Sequence, residues 1–214
     1  MDAIVSRLGE QGVVAVLVID RVEDAVPLAR ALVAGGIRAI ELTLRTGAAI
    51  ASVAEIRQHV PEIALGIGTV LTADQVDLVC DAGARFGVAP GTNRTVIERA
   101  IERGLPFFPG VATPSDIERA VQLGCRVLKF FPAEASGGLD YLTSMAAPYD
   151  NLQLSYLPLG GVGPGNLNRY LADPRVLCVG GSWIARREMI ESRQWDTITQ
   201  RAAEARRMVD RLRN

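Results

Sequence analysis

The sequence is poor in the residue types that carry several common kinds of catalysis. It contains one histidine, His59, and three cysteines far apart in the chain, which leaves few ligands for a transition metal. A Ser-His-Asp or Cys-His mechanism would need His59, but its helical surroundings predict a surface position near a helix end. Because the chain has so few histidine and cysteine residues, we expect neither a transition-metal site nor a histidine-activated nucleophile.

Charge and hydropathy exclude further classes of protein. The net charge of −1 at pH 7 gives no reason to expect a nucleic acid or an anionic membrane as partner. No apolar run approaches the roughly 20 residues that span a bilayer, and the first residues lack the features of a signal peptide. Cys80, Cys125 and Cys178 fit reduced thiols better than a disulfide framework. We therefore expect a cytoplasmic protein that binds neither membranes nor nucleic acids.

Eight short apolar runs alternate with amphipathic segments of helical length through the 214 residues. Such runs are typical of parallel strands covered by helices. The pattern predicts one domain, residues 1–214, with an α/β fold: a (β/α)8 barrel of the TIM type with a short N-terminal helix. A doubly wound sheet is the alternative, but no Gly-rich dinucleotide turn follows the first run. The predicted strands span residues 13–19, 37–44, 63–69, 86–90, 106–110, 126–131, 152–158 and 176–181.

Several helix ends are also marked in the sequence. Thr72 with Gln75 forms a capping-box pattern ahead of a helix that Gly83 ends. Thr113 is the predicted N-cap of another helix, which opens with a proline. Pro27 lies inside the first helical pattern, so that helix is expected to begin late or to kink.

The only lysine of the chain, Lys129, lies in the apolar run RVLKFF. Strand alternation places it on the same face as Val127 and Phe131, and an outward position would bury it under a helix without a carboxylate. Lysine is rarely buried unless it is paired or used. At the centre of a barrel, burial disfavours the ammonium form, and a neutral amine can attack a ketone to form a Schiff base.

Glu41, Thr43 and Arg45 share a face at the end of the second predicted strand, and the carboxyl ends of barrel strands meet at one mouth. Glu41 is therefore a candidate acid and base beside Lys129. The alternative is a structural ion pair between the two. Arg45 is a candidate clamp for a substrate carboxylate.

Double glycines follow the last two predicted strands, in LPLGGVGPGN and VLCVGGSW. Backbone N–H groups at glycines can approach an anion closely, and these loops form a recurring phosphate site in such barrels. The candidate phosphate ligands are Gly160, Gly161 and Ser182. The alternative is that the glycines only allow tight turns.

These residues resemble the class I aldolases that act on 2-keto-3-deoxy-6-phosphogluconate (KDPG) and 4-hydroxy-2-oxoglutarate (KHG). The resemblance implies a (β/α)8 barrel, a homotrimer, and catalysis without a metal or other cofactor. The stretches that carry it are ALVAGGIRAIELTLRT (31–46), GIGTVL (66–71), APG (89–91), FPGVATPSD (108–116), LKFFPAEASGG (128–138), LGGVGPGN (159–166) and CVGGSW (178–183).

The resemblance also implies a role for each candidate residue. By motif, the Schiff-base lysine is Lys129, the acid and base is Glu41, the pyruvate-carboxylate binders are Arg45 and Thr69, the phosphate site is Gly160, Gly161 and Ser182, and Pro90, Phe131 and Leu159 line the site. Close relatives have threonine at the position of Leu159, and leucine offers no hydrogen bond there. This departure bears on the aldehyde half of the substrate and its stereochemistry.

The expected reaction is therefore lyase cleavage of KDPG, or a close 2-keto-3-deoxy phospho-sugar acid, to pyruvate and glyceraldehyde 3-phosphate, a step of the Entner-Doudoroff pathway. KHG, which would give pyruvate and glyoxylate, is the second candidate substrate. The alternatives are the galactonate-derived phosphate, a non-catalytic barrel that binds a phosphorylated ligand, and an isomerase that uses Glu41 as base. A lone buried lysine favours the aldolase, because neither of the last two needs it.

Overall fold

The computed structural model describes residues 2–213 of the chain. The strands in this range are β1 (Val13–Leu17), β2 (Ala39–Thr43), β3 (Ala64–Gly68), β4 (Phe86–Val88), β5 (Phe107–Phe108), β6 (Gly110–Val111), β7 (Val127–Phe130), β8 (Ser155–Pro158) and β9 (Val179–Gly181). The α-helices are α1 (Asp2–Gln11), α2 (Ala25–Ala34), α3 (Ala49–His59), α4 (Ala73–Ala82), α5 (Arg94–Glu102), α6 (Pro114–Gln122), α7 (Gly138–Ala146), α8 (Leu167–Leu171), α9 (Arg187–Glu191) and α10 (Trp195–Arg213). No α-helix among residues 2–213 combines the length and the apolar character that a bilayer crossing requires.

The strands form two parallel, curled sheets instead of the single eight-stranded ring that the sequence predicts. One sheet has the order β5-β4-β3-β2-β1-β9 and the other has the order β6-β7-β8. The fifth predicted run is divided at Pro109, because a proline has no N–H to give to a sheet ladder. The Pro109 carbonyl still accepts a 2.8 Å hydrogen bond from the Lys129 N–H. The fold is thus α/β with parallel strands, as predicted, but with an interrupted sheet.

The β8 and β9 segments meet only through isolated bridges. Tyr156 pairs with Val176 and Leu159 pairs with Gly180, both in the parallel sense. These contacts bring the free edge of the smaller sheet to the free edge of the larger one. All eight predicted runs therefore contribute strand residues, although several predicted runs are longer than the strands they contain.

Alternate strand residues belong to two separate apolar clusters. In β7, Leu128 and Phe130 pack with the surrounding helices in one cluster. Val127 belongs to the other cluster, which includes Ile4 and Leu8 of α1. The alternation predicted for this strand is confirmed, because its two faces enter different packing environments. The short N-terminal helix expected from the sequence is α1, and it contacts β1, β2 and β3.

The predicted helix ends are largely confirmed. The Thr72 hydroxyl accepts from the Gln75 N–H at 3.2 Å, and Gly83 ends α4 with a φ of 87°. The side chain of Gln75, however, accepts from the N–H of Leu71 at 2.7 Å and leaves the box incomplete. Thr113 forms a full capping box with the carboxylate three residues later. The helix that contains the sequence's first internal proline does begin late, at Ala25, which leaves Pro27 in its first turn.

Candidate active site

The carboxyl ends of the strands surround a cavity of about 370 Å³. Every site residue predicted from the sequence lines this cavity, although the residues come from distant parts of the chain. They are Glu41, Arg45, Thr69, Pro90, Lys129, Phe131, Leu159, Gly160, Gly161 and Ser182.

The centre of the cavity holds Lys129 of β7 and Glu41 of β2. Lys129 Nζ lies 3.3 Å from Glu41 Oε1, and the two side chains are 7% and 1% exposed. Nζ is also 5.0 Å from the centre of the Phe131 ring, which is within the range of a cation–π contact. The only lysine of the chain is therefore buried, paired with one carboxylate and open to the cavity.

Space for the carboxylate comes from the neighbouring strand. Glu41 pairs in register with Gly66 of β3, and a Cβ built on Gly68 would lie 1.9 Å from Glu41 Oε1. The second oxygen, Glu41 Oε2, is buried and has no hydrogen-bond partner among the described residues. A buried carboxylate oxygen without a partner is costly, so it is a strong acceptor for a hydroxyl or a water.

A second cation lies just beyond the end of β2. Arg45 Nε donates to Thr43 Oγ1 at 3.2 Å, and Thr43 Oγ1 donates to the carbonyl of Leu17 at 3.0 Å. The guanidinium is thereby positioned at the cavity wall with donors still free for an anion. Thr69, which follows β3, has a φ of 63°, a backbone conformation that is uncommon for threonine. Such conformations are found disproportionately at functional sites.

The loop after β8 turns through two glycines in the left-handed region. Gly160 has a φ of 94° and Gly161 a φ of 84°. The Gly160 carbonyl accepts from the Glu134 N–H at 2.9 Å, and a Cβ on Gly161 would lie 2.6 Å from the Glu134 Cβ. The loop therefore packs too closely for larger residues. Ser182 follows β9 and faces the same cavity.

Leu159 is buried between these two loops. It is 4% exposed, and a Cβ built on Gly180 would lie 2.6 Å from its Cγ. The side chain belongs to the same apolar cluster as α1 and also lines the cavity. This part of the wall is therefore apolar, as expected for leucine in place of threonine.

Sequence reasoning missed several lining residues: Val16, Val162, Trp183 and Arg186. Strand alternation could have identified Val16, because Val14 belongs to the apolar cluster that includes Ile4 and Leu8 of α1. Trp183 ends one of the motifs that carry the family resemblance. Arg186 had no distinguishing signal, since the chain has many arginines and no strand periodicity continues past β9.

The thiols lie outside the cavity. All three cysteines are free, and burial raises the pKa of Cys125 to about 11. Burial likewise raises the pKa of Cys178.

His59, at the end of α3, is partly exposed and lies 3.5 Å from Glu55, in agreement with the predicted surface position.

A buried lysine beside a carboxylate, at the carboxyl ends of parallel strands, defines a class of site suited to amine nucleophiles. Comparison with known proteins specifies the class further. Residues 4–201 match the aldolase family described as KDPG and KHG aldolase. The chain belongs to this family.

Individual relatives agree with that membership. The KHG/KDPG aldolase of Escherichia coli (strain K12) is 42% identical over 193 residues, which cover 90% of each chain. A crystal structure of KDPG aldolase from Legionella pneumophila, with pyruvate captured at low pH as a covalent carbinolamine intermediate, has a TM-score of 0.90 and 38% identity, and the match covers 94% of this chain and 97% of that one. The KDPG aldolase of Zymomonas mobilis ZM4, with 3-phosphoglycerate, has a TM-score of 0.85 and 39% identity, with 94% of each chain covered.

Proposed function

We propose that the protein is a class I aldolase that splits KDPG into pyruvate and glyceraldehyde 3-phosphate. The observation that supports this most directly is the buried pair of Lys129 and Glu41 at the centre of the cavity. A binding protein or a carboxylate-dependent isomerase has no need of a lone buried lysine. Membership in the family and the names of the relatives support the same reaction.

In this mechanism the Lys129 amine adds to the C2 carbonyl of the substrate to give a carbinolamine, which loses water and becomes a Schiff base. The protonated imine withdraws electrons, so the C3–C4 bond breaks and its electron pair forms an enamine. Glu41 accepts the C4 hydroxyl proton as the aldehyde leaves and then delivers a proton to C3. Water hydrolyses the remaining imine, which releases pyruvate and restores the amine.

The two ends of the substrate have separate proposed partners. Arg45 and Thr69 bind the carboxylate of the pyruvate half, supported by the free donors of Arg45 in the cavity wall. Gly160, Gly161 and Ser182 bind the phosphate, supported by the left-handed glycine turn. Pro90, Phe131 and Leu159 shape the space between them, as the lining of the cavity indicates.

Two neighbouring substrates fit the same chemistry. KHG would give pyruvate and glyoxylate through the same steps. The galactonate-derived 6-phosphate differs from KDPG in the configuration of a hydroxyl, and Leu159 offers that hydroxyl no hydrogen bond. We favour KDPG because the relatives above are named for it.

We also propose that the two sheets act as one closed (β/α)8 barrel in a single domain, supported by the bridges between β8 and β9.

A homotrimer is proposed on the resemblance. Apolar surface available for contacts between copies includes Leu71, Leu78 and Ile101, which are 47%, 52% and 60% exposed. Light scattering should then give a mass three times the 22.9 kDa of one chain.

Covalent trapping tests the proposed function. Pyruvate with borohydride should add one lactyl group, and peptide mapping should place it on Lys129, since the chain's only other amine is its N-terminus. Lys129→Arg keeps a positive charge beside Glu41 but cannot lose its proton, so it should form no adduct. A wild-type protein that forms no adduct would falsify the Schiff-base mechanism.

A further inference from the structure

We propose that Arg186 is a specificity-determining residue that recognises the distal phosphate by charge. The inference rests on the proposed function, because it concerns the end of the same substrate. Nothing in the family motifs marks this position: the last matching stretch, CVGGSW, stops three residues before it. The structure nevertheless places Arg186 in the wall of the cavity that contains Lys129 and the Gly160–Gly161 loop.

The backbone that carries Arg186 is held firmly. Ile184 and Ala185, the two residues before it, are 0% and 2% exposed and anchor the segment in the core. Trp183 is fixed on both sides: Arg201 Nη1 donates to its carbonyl at 2.9 Å, and a Cβ on Gly181 would lie 1.9 Å from its ring. The exposed Arg186 side chain therefore starts from a defined point beside Ser182.

Arg186 differs from the nearby arginines because its charge is not used. Arg187 forms an ion pair with Asp20 at 2.6 Å, and Arg193 forms one with Asp24 at 2.9 Å. Within residues 2–213, the guanidinium of Arg186 has no carboxylate partner within 4.0 Å. A guanidinium without a carboxylate partner, on a residue that lines the cavity, is suited to a phosphate, which it can bind through two parallel hydrogen bonds.

The charges around the cavity match a substrate with two anionic ends. Its ionisable lining residues are Glu41, Arg45, Lys129 and Arg186. Because Lys129 and Glu41 pair with each other, two guanidinium groups remain. A phosphorylated 2-keto acid brings one carboxylate and a phosphate of about −1.5 to −2 at pH 7. Arg45 serves the carboxylate in the proposed function, which leaves Arg186 for the phosphate.

Leu159 increases the importance of this charge. Leu159, between the two glycine loops, offers no hydrogen bond to the hydroxyls of the distal half of the substrate. Recognition of that half then depends more strongly on the phosphate. The enzyme should accordingly require a distal anion more strictly than it requires a particular hydroxyl configuration.

The test compares Arg186→Gln with Arg207→Gln on KDPG and on its unphosphorylated counterpart, 2-keto-3-deoxygluconate. Arg207 is an exposed residue of α10 that does not line the cavity, and its substitution removes the same charge. Arg186→Gln should lower kcat/KM for KDPG about tenfold, chiefly through KM, because it removes an exposed charge-assisted contact remote from the reacting bond. Cleavage of the unphosphorylated acid should change less than twofold, and Arg186→Lys should recover part of the loss.

Two further measurements distinguish a failure of the Arg186 role from a failure of the proposed function. Borohydride trapping of pyruvate should be unchanged in Arg186→Gln, because pyruvate has no distal end. Inhibition by glyceraldehyde 3-phosphate should weaken about tenfold, by the same contact. Equal losses on both substrates, or no loss on KDPG relative to Arg207→Gln, would overturn the role of Arg186 while leaving the aldolase intact. Failure of the wild type to trap pyruvate would instead remove the proposed function.

Discussion

At the scale of single residues, the two carboxylate oxygens of Glu41 have different hydrogen-bond environments. Oε1 is 3.3 Å from Lys129 Nζ, whereas Oε2 is buried without a partner in the described chain. A simple structural ion pair would satisfy both oxygens, because an unpaired buried acceptor costs about 1–3 kcal/mol. The arrangement fits a carboxylate that keeps one oxygen for the lysine and one for a proton-bearing substrate atom.

Replacement of Glu41 by glutamine should separate imine formation from cleavage. Glu41→Gln keeps the shape of the side chain but loses the base, and positioned acid–base groups typically contribute about 10²- to 10⁴-fold. Pyruvate should still be trapped on Lys129 by borohydride, while kcat for KDPG should fall by that factor. The measurement is a coupled pyruvate assay beside mass spectrometry of the adduct. Wild-type turnover would remove Glu41 from the mechanism.

Leu159 offers a second test at this scale. Leu159→Thr restores a hydroxyl between the two glycine loops, so it should sharpen discrimination between the gluconate- and galactonate-derived 6-phosphates. One hydrogen bond is worth about 0.5–1.5 kcal/mol, so the ratio of their kcat/KM values should change up to about tenfold. Steady-state cleavage of both epimers in both proteins measures the change.

The same experiment has a clear negative outcome. An identical epimer ratio in wild type and Leu159→Thr would show that this residue does not set specificity. Because leucine packs against Gly180, the variant should also lose stability, which denaturant unfolding at matched conditions would report separately.

At the scale of elements, the pairing of β2 with β3 determines the position of the Glu41 carboxylate. The two strands are paired in register from Ala39 with Ala64 to Thr43 with Gly68. Glycine at the end of β3 leaves room for the Glu41 side chain, which any larger residue would displace. The position of the catalytic carboxylate thus depends partly on Gly68, which has no side chain that could take part in the reaction.

This contact predicts the effect of a single methyl group. Gly68→Ala would place a Cβ 1.9 Å from Glu41 Oε1, so the carboxylate must move away from Lys129. We expect kcat to fall at least about tenfold, since misplacement by 1 Å can cost about 10²-fold. Gly47→Ala is the matched control, because nothing lies within 4 Å of the added atom. Far-ultraviolet circular dichroism should show that both variants fold, and full activity in Gly68→Ala would contradict the argument.

Much of this element-level arrangement could be predicted from the sequence. Lys129 was identifiable because it is the only lysine and interrupts an apolar run, and alternation gave its face correctly. The break at Pro109 follows from a proline that is visible in the sequence, yet its effect on the sheet depends on which strand lies beside it. The approach of Gly68 to Glu41 depends on strand register, which no local pattern determines. Arg186 was missed for a similar reason, since only the folded loop brings it to the cavity.

At the scale of the whole molecule, the strands separate two apolar layers with different tasks. The outer layer, where Leu128 and Phe130 meet the helices, holds the fold together. The inner layer, which α1 joins through Ile4 and Leu8, lies beneath the reactive pair. Lys129 and Glu41 therefore project from strands that pack on this core, and not from a flexible loop. The packing keeps their positions fixed during the reaction.

Two buried side chains of the outer layer, Cys125 and Tyr156, make the protein less stable at alkaline pH. Burial raises the pKa of Cys125 to about 11 and that of Tyr156 to about 12. In the unfolded chain a thiol titrates near ~8.5 and a phenol near ~10. Folding therefore favours the protonated forms. Their contribution to stability is complete below the unfolded values and is lost as the pH rises towards the folded ones.

The free energy of unfolding should accordingly be constant near neutrality and fall between about pH 8.5 and 12, by up to ~1.4 kcal/mol per pH unit for each fully coupled group. Urea unfolding at a series of pH values measures it. Cys125→Ala removes one titrating thiol, so its curve should fall less steeply in this range, whereas Val96→Ala, a buried apolar truncation, should run parallel to wild type. If Cys125→Ala and Val96→Ala lose stability with the same slope above pH 9, the buried thiol does not couple ionisation to folding.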